Sequence, residues 1–321
     1  MSMSNNWISN KPELLPDFII GGAMKCATSS LNYILNSHPD IYIPNRECHF
    51  FDIDNILQHS NYNYYKNNHW IRQSMRKNPK KMWEWYFKKF KDRDSKIIGE
   101  DSTTYLASRI AAERISSQKK QIKMIFLLRQ PSLRAYSNYL HLLRTNKAIY
   151  SFEDTIRYQP HKIIFRSLYK DQLQDYYDLF PPERIKVVLF EDLVENKKHT
   201  LSEVCSFLNI DYNLFDISKI EKSHKNKSFY PKYINLHLLK NKLINYEKFQ
   251  TKDLPTKLGL DKKSLILLKT IKKLFGYFNP IISKPPPINQ KTKIILDDFF
   301  YDNLKGIDEI VGKEILSKWF H

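Results

Sequence analysis

The stretch DFIIGGAMKCATSSL, residues Asp17–Leu31, decides the fold of this 321-residue chain. Its apolar run Phe18–Ile20 ends at two glycines, and an amphipathic pattern begins at Ser29. The stretch therefore predicts a buried strand, a turn of small residues and a helix. Backbone N–H groups at the start of such a helix bind anionic oxygens, and Lys25 adds a positive charge inside the turn. We predict an anion-binding loop; the alternative is an ordinary strand-to-helix turn with a surface lysine.

The spacing of this loop differs from that of a nucleoside triphosphatase. In the motif G-x-x-x-x-G-K-[ST] the lysine follows a second glycine at the helix start. Here Lys25 comes three residues after Gly22, and Ala27 follows two residues after Lys25. A P-loop nucleotide kinase would also need an aspartate that holds magnesium, and the sequence shows no evident candidate. A kinase is therefore the less favoured reading.

Composition restricts the class of protein and the partners it attracts. The chain has 52 Lys+Arg against 34 Asp+Glu, a net charge of +18, which favours anionic partners: an anionic cosubstrate, nucleic acid or a membrane surface. A bias towards lysine and asparagine is a further explanation of this charge. The three cysteines show neither metal spacing nor a disulfide framework, which suits a reducing cytoplasm. No stretch has the apolar core of a signal peptide or the ~18 apolar residues of a bilayer span. We expect a soluble, cytoplasmic protein without a membrane partner.

Apolar strand candidates alternate with helical patterns along the chain, which is typical of βαβ units around a parallel sheet. The runs Ile122–Leu128 and Ile185–Phe190 contain β-branched residues and are apolar apart from one lysine each, as in strands buried on both faces. We predict an α/β fold. The predicted strands are Phe18–Gly22, Lys96–Gly99, Ile122–Leu128 and Ile185–Phe190, and the predicted helices are Ser29–Ser37, Tyr105–Ser117, Pro131–Asn146, Ser167–Leu179 and His199–Leu208.

Three sequence blocks occur in a fixed order. The first is GAMKCATSSL at Gly22–Leu31. The second comprises HPDI at His38–Ile41 and PNRECHFF at Pro44–Phe51, and the third is LLRQPSLRAYSNY at Leu127–Tyr139. Together they resemble the sulfotransferases that use 3′-phosphoadenosine 5′-phosphosulfate (PAPS), in the branch of heparan-sulfate sulfotransferases and many bacterial relatives. Each block alone is weak, whereas their common order makes the resemblance specific.

The resemblance implies a P-loop-NTPase-like three-layer fold, with a central, mostly parallel sheet flanked by helices, in a single domain over residues 1–321. Its core covers residues 17–230 and 290–320, and we expect residues 53–94 and 219–284 to wall the acceptor pocket. Residues 53–94 show no clear strand, so we predict helices packed beside the sheet. The aromatic residues of these insertions suit a flat molecule or a sugar equally well: Trp70, Trp83, Trp85, Tyr230 and Tyr233.

Sulfuryl transfer resembles phosphoryl transfer, in which positioning and charge stabilisation do most of the catalysis. The leaving phosphate oxygen gains negative charge, and Lys25 is the candidate cation for it. Ala27 stands where relatives usually have glycine, and its Cβ restricts the backbone, so we expect a slightly displaced loop. The resemblance implies that the 5′-phosphate rests on the residues of this loop: Lys25, Cys26, Ala27, Thr28, Ser29 and Ser30.

The third block is the candidate site of the 3′-phosphate. Arg129 follows an apolar strand, Pro131 suits the first turn of a helix, and Ser137 lies two turns further on. An arginine at a strand end and a helix hydroxyl can clamp one phosphate between them. The resemblance implies this role for Arg129 and Ser137, and it also places Tyr169 and Lys227 at the nucleotide.

The second block supplies the candidate base. Glu47 and His49 lie two residues apart in an extended stretch, so alternation predicts that both face the same side. The resemblance implies that Glu47 is the base and that His49 lies close by; a carboxylate works as a base when burial raises its pKa. The alternatives are a structural pair of Glu47 with Arg46 or Lys25, and His49 as the base. We expect the other histidines at the surface or at helix caps.

We predict an enzyme that transfers the sulfuryl group from PAPS to a hydroxyl, less readily an amine, of a small-molecule acceptor and releases PAP, with no metal required. A carbohydrate acceptor is the alternative. Asp101 replaces a lysine found in some heparan-sulfate enzymes, which speaks against a highly sulfated polysaccharide. A basic nucleic-acid-binding module would explain the charge but not the three ordered blocks, so we expect no nucleic-acid partner. The sequence leaves the oligomeric state open.

Overall fold

The computed structural model describes residues 5–66, 68–90, 97–216, 218, 220, 230–244, 275, 278–282 and 284–320. The central sheet consists of β1 (Phe18–Gly22), β2 (Ile41–Tyr42), β5 (Ile97–Asp101), β6 (Lys123–Leu128) and β7 (Ile185–Leu189). Within the described residues these five strands pair in the order β2-β5-β1-β6-β7, and every pairing is parallel. The α/β prediction is confirmed, together with its four strands, while the two-residue edge strand β2 was not predicted.

Strand β1 lies in the middle of this sheet and is buried along its whole length. Its side chains Phe18–Ile20 have no exposed surface, as expected for a strand covered by helices on both faces. A Cβ at Gly21 would lie only 2.5 Å from the ring of Phe126 on β6, so close packing requires glycine there. Gly22 has a φ of 145°, a conformation that side chains disfavour. The two glycines therefore let the chain leave the sheet abruptly at its carboxyl edge.

Helices flank the sheet where the sequence predicts them, with one division: the predicted helix over Tyr105–Ser117 is a 3-10 turn, Tyr105–Ala107, followed by α3. The helices of the first two thirds of the chain are α1 (Thr28–Leu35), α2 (Pro79–Phe87), α3 (Arg109–Ser116), α4 (Pro131–Arg144), α5 (Phe152–Tyr158), α6 (Pro160–Ile163), α7 (Tyr169–Tyr177), α8 (Phe190–Glu195) and α9 (Lys197–Leu208).

The first predicted insertion contains more than helices. Besides α2, residues 53–94 include an antiparallel hairpin of β3 (Tyr64–Lys66) and β4 (His69–Ile71), so the prediction of helices without strands is wrong. Three-residue strands on an exposed hairpin are too short to show the alternation by which strands are found. Trp70 on this hairpin is 61% exposed and packs edge-on against Tyr65, with 5.7 Å between ring centroids.

The C-terminal part contains a long helix over Gln290–Leu304. Its buried face carries Leu296, Phe300 and Leu304, whereas Ile294 and Ile295 are exposed. Of the second insertion, most of residues 219–284 lies outside the described residues. No helix in the described ranges is both long and apolar enough to cross a membrane. The remaining elements are β8 (Tyr230–Pro231), α10 (Ile234–Ile244), β9 (Ile281–Ile282), α11 (Gln290–Leu304), α12 (Ile307–Val311) and α13 (Leu316–Trp319).

Candidate active site

The loop between β1 and α1 has the geometry of an anion cradle. Lys25 and Ala27 both adopt left-handed backbone conformations, with φ of 74° and 70°, on either side of the buried Cys26. Alternating backbone conformations of this kind turn successive N–H groups towards one point, and the first N–H groups of a helix have no acceptor within the helix. Thr28 begins α1 and is buried, whereas Ser29 is exposed. Ala27 thus holds a conformation that costs an L-residue about 1–2 kcal/mol.

Lys25 lies at the centre of the charges around this loop. Burial, then the nearby positive charges of Arg144 and Arg129, lower the pKa of Lys25 to about 8, and Glu47 acts in the opposite direction. Arg129 and Glu47 both act on the charge of Lys25, so the loop lysine, the candidate 3′-phosphate arginine and the candidate base lie around one site. A half-buried lysine of this kind can stabilise a negative charge that develops close to it.

The candidate base and its histidine are in direct contact. Glu47 Oε2 lies 2.7 Å from His49 Nε2 and accepts a hydrogen bond of 2.9 Å from Thr103 Oγ1. The Glu47 side chain is 37% exposed, whereas that of His49 is 5% exposed. The two side chains lie close together, but the extended stretch from which we predicted a common face is interrupted, because His49 has a left-handed φ of 51°. The Glu47 side chain is therefore accessible to an acceptor, while the buried His49 contacts it from the protein interior.

A buried polar network supports His49. Its Nδ1 lies 2.9 Å from Thr104 Oγ1, and its backbone N–H donates to Ser102 Oγ at 2.9 Å. The ring of His59 lies 4.9 Å from that of His49, and His59 Nε2 contacts Asp52 Oδ1 at 2.8 Å. Burial, the largest single influence, acts to raise the pKa of Asp52, but the charge and hydrogen bond of His59, the charge of His49 and a hydrogen bond from Thr104 together hold this pKa below its ordinary value.

His49, Asp52 and His59 offer ligand atoms within 4.8 Å of one another. Both ring nitrogens of His49 already contact Glu47 and Thr104, so the arrangement is a hydrogen-bonded network in this structure. His59 is 3% exposed, which corrects the expectation that the other histidines lie at the surface or at caps. Its neighbours in sequence, Gln58 and Ser60, gave no indication of the partner Asp52 seven residues earlier.

Two further carboxyl groups lie at the end of β5, near the candidate base Glu47. Glu100 is fully buried and accepts hydrogen bonds from Ser102 Oγ and Tyr105 Oη, each 2.7 Å long, and from Tyr86. Burial raises its pKa. Asp101 is 4% exposed and accepts from Asn32 Nδ2 at 3.2 Å. Burial and then the charge of Glu47 raise the pKa of Asp101 well above its ordinary value.

Arg129 lies between β6 and α4, at the carboxyl edge of the sheet, where the Lys25 loop also follows β1. Its guanidinium carbon is 4.5 Å from the ring centroid of Phe190, and its Nε is buried with no hydrogen-bond partner among the described residues. Gln130 caps α4 by accepting from the backbone N–H of Leu133 at 2.8 Å, and Ser137 is half-buried two turns on. An arginine donor without a partner at this place fits a phosphate group.

Tyr169 has no exposed surface and lies behind the two loops. Its hydroxyl donates to the backbone oxygen of Arg129 at 2.9 Å and lies 3.8 Å from Cys26 Sγ. The structure therefore places Tyr169 where it fixes the loops to each other, rather than at an exposed nucleotide-facing position. Arg134 is also fully buried and donates to Ser167 Oγ and to the backbone oxygen of Ile163. Lys227 lies outside the described residues.

Sequence reasoning missed two residues on the last turn of α4. His141 and Arg144 contact each other, with 3.1 Å between His141 Nδ1 and Arg144 Nη2. Burial, then the charges of Lys25 and Arg144, lower the pKa of His141 to about 4, so its ring is neutral at ordinary pH. The spacing could have revealed them, because positions four and seven residues after Ser137 lie on the same helix face.

Known proteins resemble this chain in sequence. Heparan sulfate glucosamine 3-O-sulfotransferase 5 of Mus musculus and that of Homo sapiens are each 31% identical to it over 218 residues, which cover 63% of this chain and 57% of either relative. Membrane-associated sulfotransferase kil1 of Dictyostelium discoideum is 32% identical over 160 residues, covering 46% of this chain and 29% of that protein. The chain thus matches only about half the length of these relatives, or less.

The fold has a solved counterpart. The crystal structure of a sulfotransferase from Alicyclobacillus acidocaldarius matches with a TM-score of 0.60 at 22% identity, over 96% of this chain and 99% of that one. The predicted P-loop-like three-layer fold is thereby confirmed. A profile of the sulfotransferase family matches residues 16–213, well over half of the chain. The predicted resemblance is confirmed, and the chain belongs to the sulfotransferase family.

Proposed function

We propose that this chain transfers the sulfuryl group of PAPS to a hydroxyl of its acceptor and releases PAP. The observation that carries the proposal is the position of Lys25, which lies within electrostatic reach of both Glu47 and Arg129. A cation close to both a candidate base and a candidate phosphate clamp suits in-line group transfer, in which positioning and charge stabilisation do most of the catalysis. Family membership supports PAPS as the donor.

In the proposed reaction the acceptor oxygen attacks the sulfur atom while Glu47 takes the hydroxyl proton. The new oxygen–sulfur bond forms as the bond between sulfur and the bridging phosphate oxygen breaks. The phosphate oxygen leaves with the electron pair, and Lys25 stabilises its negative charge. His49 and Thr103 orient the carboxylate of Glu47, which limits the loss of entropy when the acceptor binds.

The residues present suit the donor nucleotide. The left-handed turn at Lys25 and Ala27, followed by the first N–H groups of α1, suits the 5′-phosphate. The buried Nε of Arg129, with Ser137 on the next helix, suits the 3′-phosphate. We propose direct contacts with PAPS for the loop residues, Arg129 and Ser137, and an indirect contribution of Tyr169 through the backbone of Arg129.

For the acceptor we propose a carbohydrate hydroxyl on a chain with few sulfate groups. The names of the relatives, which act on heparan sulfate glucosamine, favour a carbohydrate. Asp101 stands where some heparan-sulfate enzymes carry a lysine, so the positive charge that a densely sulfated chain would need is missing at this buried position. A small-molecule acceptor is the second candidate, favoured by the exposed ring of Trp70. A cytoplasmic location stays a prediction.

The donor and the acceptor are tested separately. Thermal unfolding of the native protein is followed with PAP, adenosine monophosphate (AMP), ATP and a single-stranded oligonucleotide, because a ligand that binds the folded state raises the Tm. We expect PAP to raise it most. An equal effect of ATP would favour a kinase, and an effect of the oligonucleotide alone would favour a nucleic-acid-binding protein.

Transfer is then measured with radiolabelled PAPS and a set of acceptors: an unsulfated glycosaminoglycan backbone, heparan sulfate, neutral oligosaccharides and simple phenols. We expect most transfer to the unsulfated or neutral saccharides. Labelling of phenols alone would establish the small-molecule alternative. Preference for heparan sulfate would contradict the role given to Asp101.

A further inference from the structure

The C-terminal helix α11 contacts the residues that begin α4. Asp297 Oδ1 accepts hydrogen bonds from Gln130 Nε2 at 2.6 Å and from Ser132 Oγ at 2.5 Å. Gln130 and Ser132 are 5% and 0% exposed, and both lie within three residues of Arg129. One carboxylate from a distant part of the chain therefore fixes both side chains at this helix start.

The charge of Asp297 is balanced where it lies. Its second oxygen, Oδ2, pairs with Lys293 one turn earlier on α11. A carboxylate near the start of α4 also interacts favourably with the positive end of that helix. Asp297 can thus hold the start of α4 without repelling a phosphate bound close by.

Helix α13 contacts the same loop from a second direction. Trp319 Nε1 donates to Glu191 Oε2 at 3.2 Å, and Glu191 Oε1 accepts from the backbone N–H of Gln130 at 3.0 Å. The Trp319 ring also packs against Tyr169, with 5.8 Å between centroids, and Tyr169 holds the backbone oxygen of Arg129. Trp319 therefore contacts both side chains that fix the backbone around Arg129.

We propose that the C-terminal segment completes the nucleotide site, with Asp297 and Trp319 as positioning residues that aim Arg129 at the 3′-phosphate. Both residues lie beyond residues 16–213, the part of the chain that the family profile matches. A paired arginine–phosphate contact depends on geometry, because two parallel hydrogen bonds must form at once. The inference rests on the proposed function, since it requires that Arg129 binds that phosphate.

The test compares PAP with AMP, which differs from PAP only in lacking the 3′-phosphate. The variants are Trp319→Phe, which keeps the ring beside Tyr169 but loses the N–H donor, and Asp297→Asn. The control is Asp298→Asn, because Asp298 neighbours Asp297 but is exposed. Calorimetry should show PAP affinity lowered roughly tenfold in each test variant. AMP affinity should be unchanged, and the control should bind both nucleotides like the native protein.

A second comparison uses Arg129→Ala. In that background Trp319→Phe and Asp297→Asn should cause no further loss of PAP affinity, because the contact they position is already gone. Equal losses of PAP and AMP, or losses that add to that of Arg129→Ala, would mean that the segment only supports the fold. PAP affinity unchanged in both variants would also overturn the inference. A native protein that binds PAP no better than AMP would instead refute the proposed function.

Discussion

The donor side and the acceptor side of the site are built in different ways. On the donor side, Lys25 and Arg129 each lie in a short connection directly after a central strand, β1 or β6. These strands are parallel neighbours, so their carboxyl ends bring the two connections together. On the acceptor side, Glu47 and His49 lie in a stretch that belongs to no helix or strand. Their positions depend on hydroxyl groups more than fifty residues away, at the end of β5.

The donor side thus depends mainly on backbone geometry, whereas the acceptor side depends on side-chain geometry. Much of the donor loop consists of backbone N–H groups that any strand–loop–helix unit of this type presents, so we expect it to tolerate side-chain changes other than those at Lys25. The acceptor side relies on individual hydrogen bonds, each of which contributes about 0.5–1.5 kcal/mol and costs more when one partner stays buried. We therefore expect changes on the acceptor side to lower kcat, and changes on the donor side, with the exception of Lys25, to lower nucleotide affinity.

The largest effect is expected from Glu47→Gln, which keeps the shape of the side chain and removes its basicity. kcat should fall by about 10²–10⁴, the range of general base catalysis, while PAP affinity stays nearly unchanged. Steady-state kinetics and calorimetry measure the two quantities. The control Glu183→Gln, at an exposed position before β7, should behave like the native protein.

His49→Asn is the companion variant for this prediction. It should cost less than Glu47→Gln, because His49 orients the carboxylate of Glu47 and is itself almost buried. If His49→Asn abolished activity while Glu47→Gln remained active, the histidine would be the base and Glu47 its orienting partner.

The next largest effect is expected from Lys25→Ala on the donor side. Loss of the charge on the leaving oxygen should lower kcat by about 10²–10³, equivalent to about 2.7–4 kcal/mol. The fold should survive, because Lys25 lies in a half-exposed loop. Lys119→Ala, at an exposed site ahead of β6, is the control. If the variant kept more than about a tenth of the native kcat, Lys25 would not be the residue that stabilises the leaving oxygen.

A smaller effect is expected from pH. Lys25 has a lowered pKa of about 8, so it loses its positive charge as the pH rises through this value. kcat/KM, which reports the free enzyme, should therefore fall above about pH 8. The corresponding limb of kcat should lie at higher pH, because bound anionic PAPS favours the protonated lysine. Lys25→Arg keeps its charge throughout this range and should remove the limb; an unchanged limb would assign it to another group.

The same contrast explains what the sequence could and could not predict. The four long strands and the loop around Lys25 follow from local patterns, namely apolar runs, paired glycines and a helix start. The position of Arg129 followed in the same way, since it ends an apolar run. Asp52 and His59 could not be found, because their role arises from burial and from contacts made only after folding. Neighbouring strands lie far apart in sequence, and no local pattern records which hydroxyl groups meet Glu47.

The smallest effect is expected from Ala27, the residue just before α1 in the donor loop, since its backbone is left-handed although it carries a Cβ. Ala27→Gly removes a local cost of about 1–2 kcal/mol, and the greater freedom of glycine in the unfolded chain cancels about 0.4–1 kcal/mol of this. The free energy of unfolding, measured with denaturant, should rise by up to about 1 kcal/mol, with PAP affinity kept. Ala112→Gly, inside helix α3, should instead lower it by about 1 kcal/mol. If both variants lowered the free energy of unfolding alike, side-chain packing rather than backbone conformation would determine the stability of this loop. The proposed difference between the donor side and the acceptor side would then be wrong.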